Sequence, residues 1–135
     1  IKDVQGCAVS YPMIGDEDLT VSKLYGMIHP NAKGEAKGRT AVDNATVRNC
    51  YIIGPDKKLK LSMTYPMTVG RNFAEVLRAL DGLQMSIGHG VATPANWVPG
   101  GDVIIPATVS DADAKAKFGD FKKVLPYLRT TKAPG

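Results

Sequence analysis

Residues 46–85 carry the pattern that most limits what this chain can become: two β-rich runs joined by a tight turn, then an amphipathic helix. Thr46 to Ile53 is rich in β-forming residues and stops at Gly54-Pro55-Asp56, and Leu59 to Tyr65 then sets apolar side chains at 59, 61, 63 and 65. Run, turn and period-two run predict a β-hairpin. From Gly70 to about Met85, Phe73, Val76, Leu77, Leu80 and Leu83 recur at helical spacing, while Arg71, Glu75, Arg78 and Asp81 take the other faces. The Phe/Leu stripe is expected to pack in the core. Hairpin and helix in succession predict an α/β domain.

The flanks are less regular. Val9 to Ile14, with Tyr11-Pro12 inside it, reads as an edge strand or extended segment, because proline removes a ladder donor. Asp16, Glu17 and Asp18 supply acidic residues for a helix start, and Leu19, Val21, Leu24 and Met27 fit a helix of about ten residues that Pro30 stops. Residues 31–45 read as an exposed, mobile loop. Beyond the long helix, Asp102 to Ile105 is strand-like, and Ser110 to Asp113 resembles a capping box opening a helix to Phe118. The tail Val124 to Arg129 is expected to dock on something apolar. A subdomain boundary is placed near Met85 to Gly90, dividing the chain into 1–86 and 87–135.

At 135 residues and 14.4 kDa the chain is one domain's worth, able to bury a core without disulfides or metal. No apolar run approaches the roughly 20 residues of a membrane span, and no basic-then-apolar leader is visible. The net charge of +4 raises nucleic-acid binding as a reading, but Asp56 interrupts the cluster Lys57, Lys58 and Lys60. Asp111, Asp113 and Asp120 likewise break up Lys115, Lys117, Lys122 and Lys123. Interrupted clusters of this kind point to a solvated lysine face. Cys7 and Cys50 allow one bridge arithmetically, but they form neither a disulfide framework nor a paired metal-ligand spacing. This usage favours a reducing, intracellular setting, the cytoplasm first and the mitochondrion second. No metal or bound cofactor is expected, and the Asn44-Ala45-Thr46 sequon adds little.

Tests for catalytic motifs mostly fail. Gln84-Met85-Ser86-Ile87-Gly88 lacks the first glycine of a serine-hydrolase elbow and has its helix on the wrong side. Gly88-His89-Gly90 lacks the spacing of a phosphate loop. His29 and His89 are isolated and read as surface or capping residues. Two arginines stand out. Arg48 lies in the apolar run Thr46 to Ile53, where a charge is costly unless paired or functional, and strand alternation groups it with Cys50 and Ile52. Arg71 stands at a helix start, where positive charge opposes the dipole and needs a compensating reason. If the two guanidiniums converge near a sheet end, they would suit an anion or an oxygen-rich substrate. A salt-bridged arginine at a strand edge explains Arg48 equally well.

A resemblance carries the reading further. Ile53 to Leu61, Thr64-Tyr65-Pro66 and Thr68-Val69-Gly70-Arg71-Asn72-Phe73 are similar to one-cysteine peroxiredoxins of the peroxiredoxin-6-like subfamily. Val91 to Trp97, Asp102 to Pro106 and Pro126-Tyr127-Leu128-Arg129 continue the similarity in order, so it covers nearly the whole chain, with a long loop at 33–44. The resemblance implies a thioredoxin-like α/β fold with a small C-terminal extension, and homodimers or higher oligomers in which the extension helps cover the partner. It also implies a thiol peroxidase acting on hydrogen peroxide and organic hydroperoxides, with an external thiol such as glutathione or thioredoxin as reductant. Arg48 matches the family's active-site arginine and Arg71 a second arginine near the pocket. Some members are also associated with phospholipase activity, of whose residues only Asp56 has a match here, and a Gly-Pro-Asp turn explains Asp56 without it.

One departure matters. The family's peroxidatic cysteine lies in Pro-x-x-x-Thr-x-x-Cys, which neither Cys7 nor Cys50 satisfies. The chain therefore reads as the C-terminal part of such a protein, carrying its arginines and dimer surface without the nucleophile segment. Without that segment, strand edges and an apolar face are expected to lie open and to favour association. The competing reading is a catalytically inactive fragment that serves only as a binding or assembly module.

Overall fold

The computed structural model describes residues 2–28, 38, 40, 42 and 46–135. Helices α1 (Lys2–Gln5) and α2 (Thr20–Leu24) are followed by strands β1 (Arg48–Ile53) and β2 (Leu59–Tyr65), helix α3 (Phe73–His89), strand β3 (Val103–Ile105), helix α4 (Asp111–Phe118), and strands β4 (Lys122–Leu125) and β5 (Leu128–Thr131). They fall into two compact units, one of Ile1–Cys50 with Met63–Gly70, the other of Tyr51–Ser62 with Arg71–Gly135. Most of the loop expected at 31–45, together with His29 and Pro30, lies outside the described residues.

In the first unit α2 is shorter than the sequence suggests. Leu19 takes a left-handed conformation (φ 59°) at the N-cap. The Asp16 carboxylate accepts from the amides of Val21 and Ser22 at 2.8 Å each. The Ser22 hydroxyl also donates to it, which holds the Asp16 carboxyl below its usual range despite burial. The helix closes when Gly26, at φ 63°, turns the chain so that Gly26 N–H bonds Lys23 O and Met27 N–H bonds Ser22 O. This is the glycine-terminated Schellman arrangement, and it ends the helix before Pro30. Val9 to Ile14 forms no strand; Tyr11, Met13 and Ile14 are exposed.

The hairpin forms as expected, with β1 and β2 as its two strands. Its loop is closed by Gly54 N–H to Lys58 O and Lys57 N–H to Gly54 O, both at 2.9 Å. Asp56 is a turn residue: its carboxylate accepts from Lys58 N–H and from the Lys60 ammonium, which lowers its pKa.

In the second unit α3 begins later and ends later than the apolar spacing indicates. The Asn72 side chain caps it by accepting from the amides of Ala74 and Glu75, and Gly90 (φ 65°) ends it after His89. Gln84 to Gly88 are thus helical, which excludes a nucleophile elbow. The face α3 buries is a small one, Ala79 and Gly82, with Val76, Leu80 and Leu83 half-buried. Phe73 and Leu77, expected in the core, are 67% and 60% exposed. Helical spacing identifies an apolar face but not which part of it has a neighbour.

The core gathers Val91, Trp97 and Val103, with Met85, Phe118 and Ala133 packed against them. The Trp97 indole N–H donates to Gly101 O at 2.9 Å, so the ring is buried without an orphaned donor. The sheet order is β3-β5-β4, all antiparallel, with Ile105 opposite Arg129 and Lys123 opposite Arg129 on the other side. Ser110 caps α4 by accepting from Asp113 N–H.

Where the sequence suggests an apolar dock for the tail, the anchor is ionic. Val124, Leu125 and Tyr127 are exposed, whereas Arg129 is 4% exposed. Its guanidinium donates to Asp111 Oδ1 (2.6 Å), Pro106 O (2.8 Å) and Val109 O (2.6 Å), and lies 5.9 Å from the centre of the Phe121 ring. The Lys123 ammonium and the Arg129 guanidinium together hold the Asp111 carboxyl below its usual range.

Two predictions follow from this packing. A methyl group at Gly82 would meet Thr93 Oγ1 at 3.5 Å and Trp97 Cζ3 at 3.8 Å, ordinary contacts. Gly82→Ala is therefore expected to stabilise the protein by up to about 1 kcal/mol, since glycine is costly in a helix interior. A lowered melting temperature would show that the loop against α3 cannot give way. Asp111 has a lowered folded pKa, so its contribution is complete above the unfolded value near 3.9 and is lost as pH falls through the folded one. Denaturant midpoints of wild type and Asp111→Asn should differ at pH 6 and converge in acid; a constant gap would assign the effect to something other than the charge.

Candidate functional site

Antiparallel pairing brings the first residue of one hairpin strand near the last residue of the other. Arg48 opens β1 and Tyr65 closes β2. The turn after β2, closed by Val69 N–H to Pro66 O at 3.0 Å, thus returns beside Arg48, and Arg48 Nη1 donates to Val69 O at 3.1 Å. The backbone is tied as well. Val47 N–H bonds Met27 O, Ile28 bridges Thr46, and Asn49 N–H bonds Val47 O, which makes Arg48 the corner of a three-residue turn. Strict strand alternation does not hold here: Asn49 to Ile52 are all half-buried.

The acceptor distinguishes Arg48 from other arginines of the chain. Arg78 is clamped by Glu75 through Nε–Oε2 at 2.6 Å and Nη2–Oε1 at 2.8 Å, and Arg129 by Asp111. Among the described residues no carboxylate lies within ion-pair distance of Arg48. A carbonyl orients a guanidinium but leaves its charge intact. Among the described residues, the salt-bridged strand-edge arrangement does not form at Arg48.

Arg71 belongs to the second unit and precedes the Asn72 cap, so it stands outside α3 rather than in its first turn. Its guanidinium lies 6.0 Å from the Phe73 ring centroid, within cation–π reach, which supplies a compensating contact. Each arginine is thus placed within its own unit.

Both cysteines are free, Cys7 exposed and Cys50 half-buried. His89 ends α3, and its carbonyl accepts from the Lys117 ammonium at 2.8 Å. Among the described residues no group of three His, Cys, Asp or Glu side chains could hold a metal ion, and no helix is long and apolar enough to cross a membrane. A cavity of about 590 Å³ in the first unit is bordered by Asp16 and Ser22, whose polar atoms already bond each other and the α2 backbone. Sequence reasoning did not find Val69, because a backbone carbonyl carries no residue signature; the signal available was the hairpin itself, which predicts that its open ends meet.

Residues 82–120 match the model for the C-terminal domain of 1-Cys peroxiredoxin. A probable 1-Cys peroxiredoxin of Bromus secalinus is 44% identical over 97% of this chain and 67% of its own length. The chain belongs to the 1-Cys peroxiredoxin family. Peroxiredoxin-6 of Rattus norvegicus is 45% identical over 92% of the chain and 56% of its own length. The solved structure of a yeast mitochondrial 1-Cys peroxiredoxin, studied for thiol resolution through the glutathione and thioredoxin systems, superposes with a TM-score of 0.86 at 46% identity. The match covers 97% of this chain and 61% of that one, and the fold is thioredoxin-like. The chain spans about half the length of the first curated relatives it matches.

Family membership sharpens the question of the two thiols, since neither sits in Pro-x-x-x-Thr-x-x-Cys. If the whole protein reduces hydrogen peroxide, Cys7→Ser and Cys50→Ser should each leave that rate close to wild type, as expected of residues away from the chemistry. Stopped-flow peroxide consumption decides this, and a collapse of activity in either variant would make that cysteine the nucleophile.

Proposed function

We propose that this sequence is the arginine-bearing C-terminal part of a thiol peroxidase. Residues 1–86 complete the thioredoxin-like domain and 87–135 form the extension that supports a homodimer or higher oligomer. The nucleophilic cysteine is carried by residues outside this sequence. Its thiolate attacks one peroxide oxygen, the O–O bond breaks, and the products are a sulfenic acid and, after protonation, an alcohol or water. Two electrons pass from sulfur to the peroxide. An external thiol of the glutathione or thioredoxin type then condenses with the sulfenic acid, forming a mixed disulfide and releasing water; a second reductant thiol attacks that mixed disulfide, which frees the cysteine and leaves the reductant as its own disulfide.

The chemistry asks for a low thiol pKa and an oriented peroxide, and a guanidinium serves both by stabilising negative charge on sulfur and on the departing oxygen. The observation that carries this reading is the charge of Arg48, held by the neutral Val69 carbonyl where Arg78 and Arg129 are met by carboxylates. Arg71, in Gly-Arg-Asn-Phe, is assigned the second position. An intracellular compartment, cytoplasmic or mitochondrial, suits a thiol reductant, and the similarity to a mitochondrial relative supports the second.

Arg48→Ala in the full-length protein should lower kcat/KM for hydrogen peroxide by about 10²–10³, the usual effect of deleting one charge-stabilising donor. Arg48→Lys should recover only part of it, because an ammonium lacks the planar fork. Unchanged kinetics in Arg48→Ala would refute the role and leave a binding or assembly module as the better reading.

A further inference from the structure

We propose that the turn Pro66–Val69 is the positioning element of the active site, acting through the Val69 carbonyl to fix the direction in which Arg48 presents its charge. The inference rests on the peroxidase reading of Arg48. A long arginine side chain starting from a strand end has four rotatable bonds, and ordering it costs conformational entropy. Something must hold it in advance if the charge is to act without rearranging during the reaction. Packing does not do so, since Arg48 is exposed. The backbone of Arg48 is fixed from one side by the Val47–Met27 hydrogen bond and the turn at Val47–Asn49. The guanidinium is fixed from the other side by Nη1 to Val69 O at 3.1 Å.

The turn that offers this carbonyl is not held by burial either: Met67 and Val69 are 42% and 47% exposed. Its shape rests on the Val69 N–H to Pro66 O bond and on the proline ring, which fixes one backbone angle in advance. Gly70 follows directly, and a Cβ there would lie 4.0 Å from Arg48 Nη1, so the guanidinium rests close against bare backbone. Pro66 is therefore a positioning residue: it touches no substrate and acts through Arg48.

The test is a double-mutant cycle in the full-length protein with Pro66→Gly and Arg48→Met, read by kcat/KM for hydrogen peroxide and by the pH midpoint of iodoacetamide alkylation of the reacting thiol. Pro66→Gly alone should lower kcat/KM about tenfold and raise the alkylation midpoint, as a loosened catalytic group would. On the Arg48→Met background it should add less than about twofold, since residues acting as a unit are not additive. Equal losses in both backgrounds, or wild-type kinetics and midpoint in Pro66→Gly, would overturn the positioning role while leaving Arg48 catalytic. Wild-type kinetics in Arg48→Met would overturn the catalytic role of Arg48 and this inference with it. Should Pro66→Gly fail to fold, replacing Gly70 by glycolate makes the Val69 carbonyl an ester, a weaker acceptor, with every side chain kept. The same fall in rate and rise in midpoint are expected, and their absence would refute the proposal.

Discussion

A guanidinium does not give up its proton in a protein, so every arginine must be met by acceptors, and the kind of acceptor decides what the residue can do. Arg129 meets one carboxylate oxygen and two backbone carbonyls at a site nearly closed to water. It thereby joins β5 to the start of α4 and to the chain between β3 and α4, segments 18 to 23 residues away in sequence. Removing the side chain would strand those carbonyls and leave a gap beside Ile105, its fully buried neighbour across the ladder. A buried charge is not in itself a source of stability. Here its value is that only one arrangement of strand, helix and loop satisfies it.

Arg48 is the opposite case. A carboxylate at Val69's place would orient the guanidinium more strongly, but it would also cancel the field that a thiolate or a departing oxygen needs. A carbonyl orients through its dipole and leaves the net charge in place. The difference between an arginine that builds the fold and one available for chemistry is thus visible in its partners, without reference to relatives. Under the proposed function, kinship then adds what geometry does not contain, namely the nature of the group that would use the charge.

Much of this was legible in the sequence, and what was not has identifiable reasons. The hairpin and α4 announce themselves through local signals: Gly54-Pro55-Asp56, alternation from Leu59, and the Ser110 cap. Helix α3 was legible from its period, but its ends are set by Asn72 and Gly90, whose roles are conformational. Phe73 and Leu77 were misplaced because period reports which residues share a face, while cover depends on what lies opposite. The tail was misread for a similar reason. Val124, Leu125 and Tyr127 look like an apolar anchor, yet the anchor is Arg129, whose partners are distant in sequence and two of which are backbone oxygens. Arg48 was legible as an anomaly, a charge in an apolar strand; its partner was not.

The link between Arg48 and Val69 also has a kinetic side. Their separation of 21 residues is long for a loop closure, but most of it is the hairpin, which zips locally from its turn. Once β1 and β2 have paired, bringing the turn at Pro66 to Arg48 costs little additional entropy. Besides the hairpin, the described links that hold Arg48 are the Val47–Met27 hydrogen bond and the Ile28–Thr46 bridge to the preceding chain. Under the proposed function, the arrangement therefore places the fixed positive charge that the chemistry asks for on a hairpin that pairs locally in sequence.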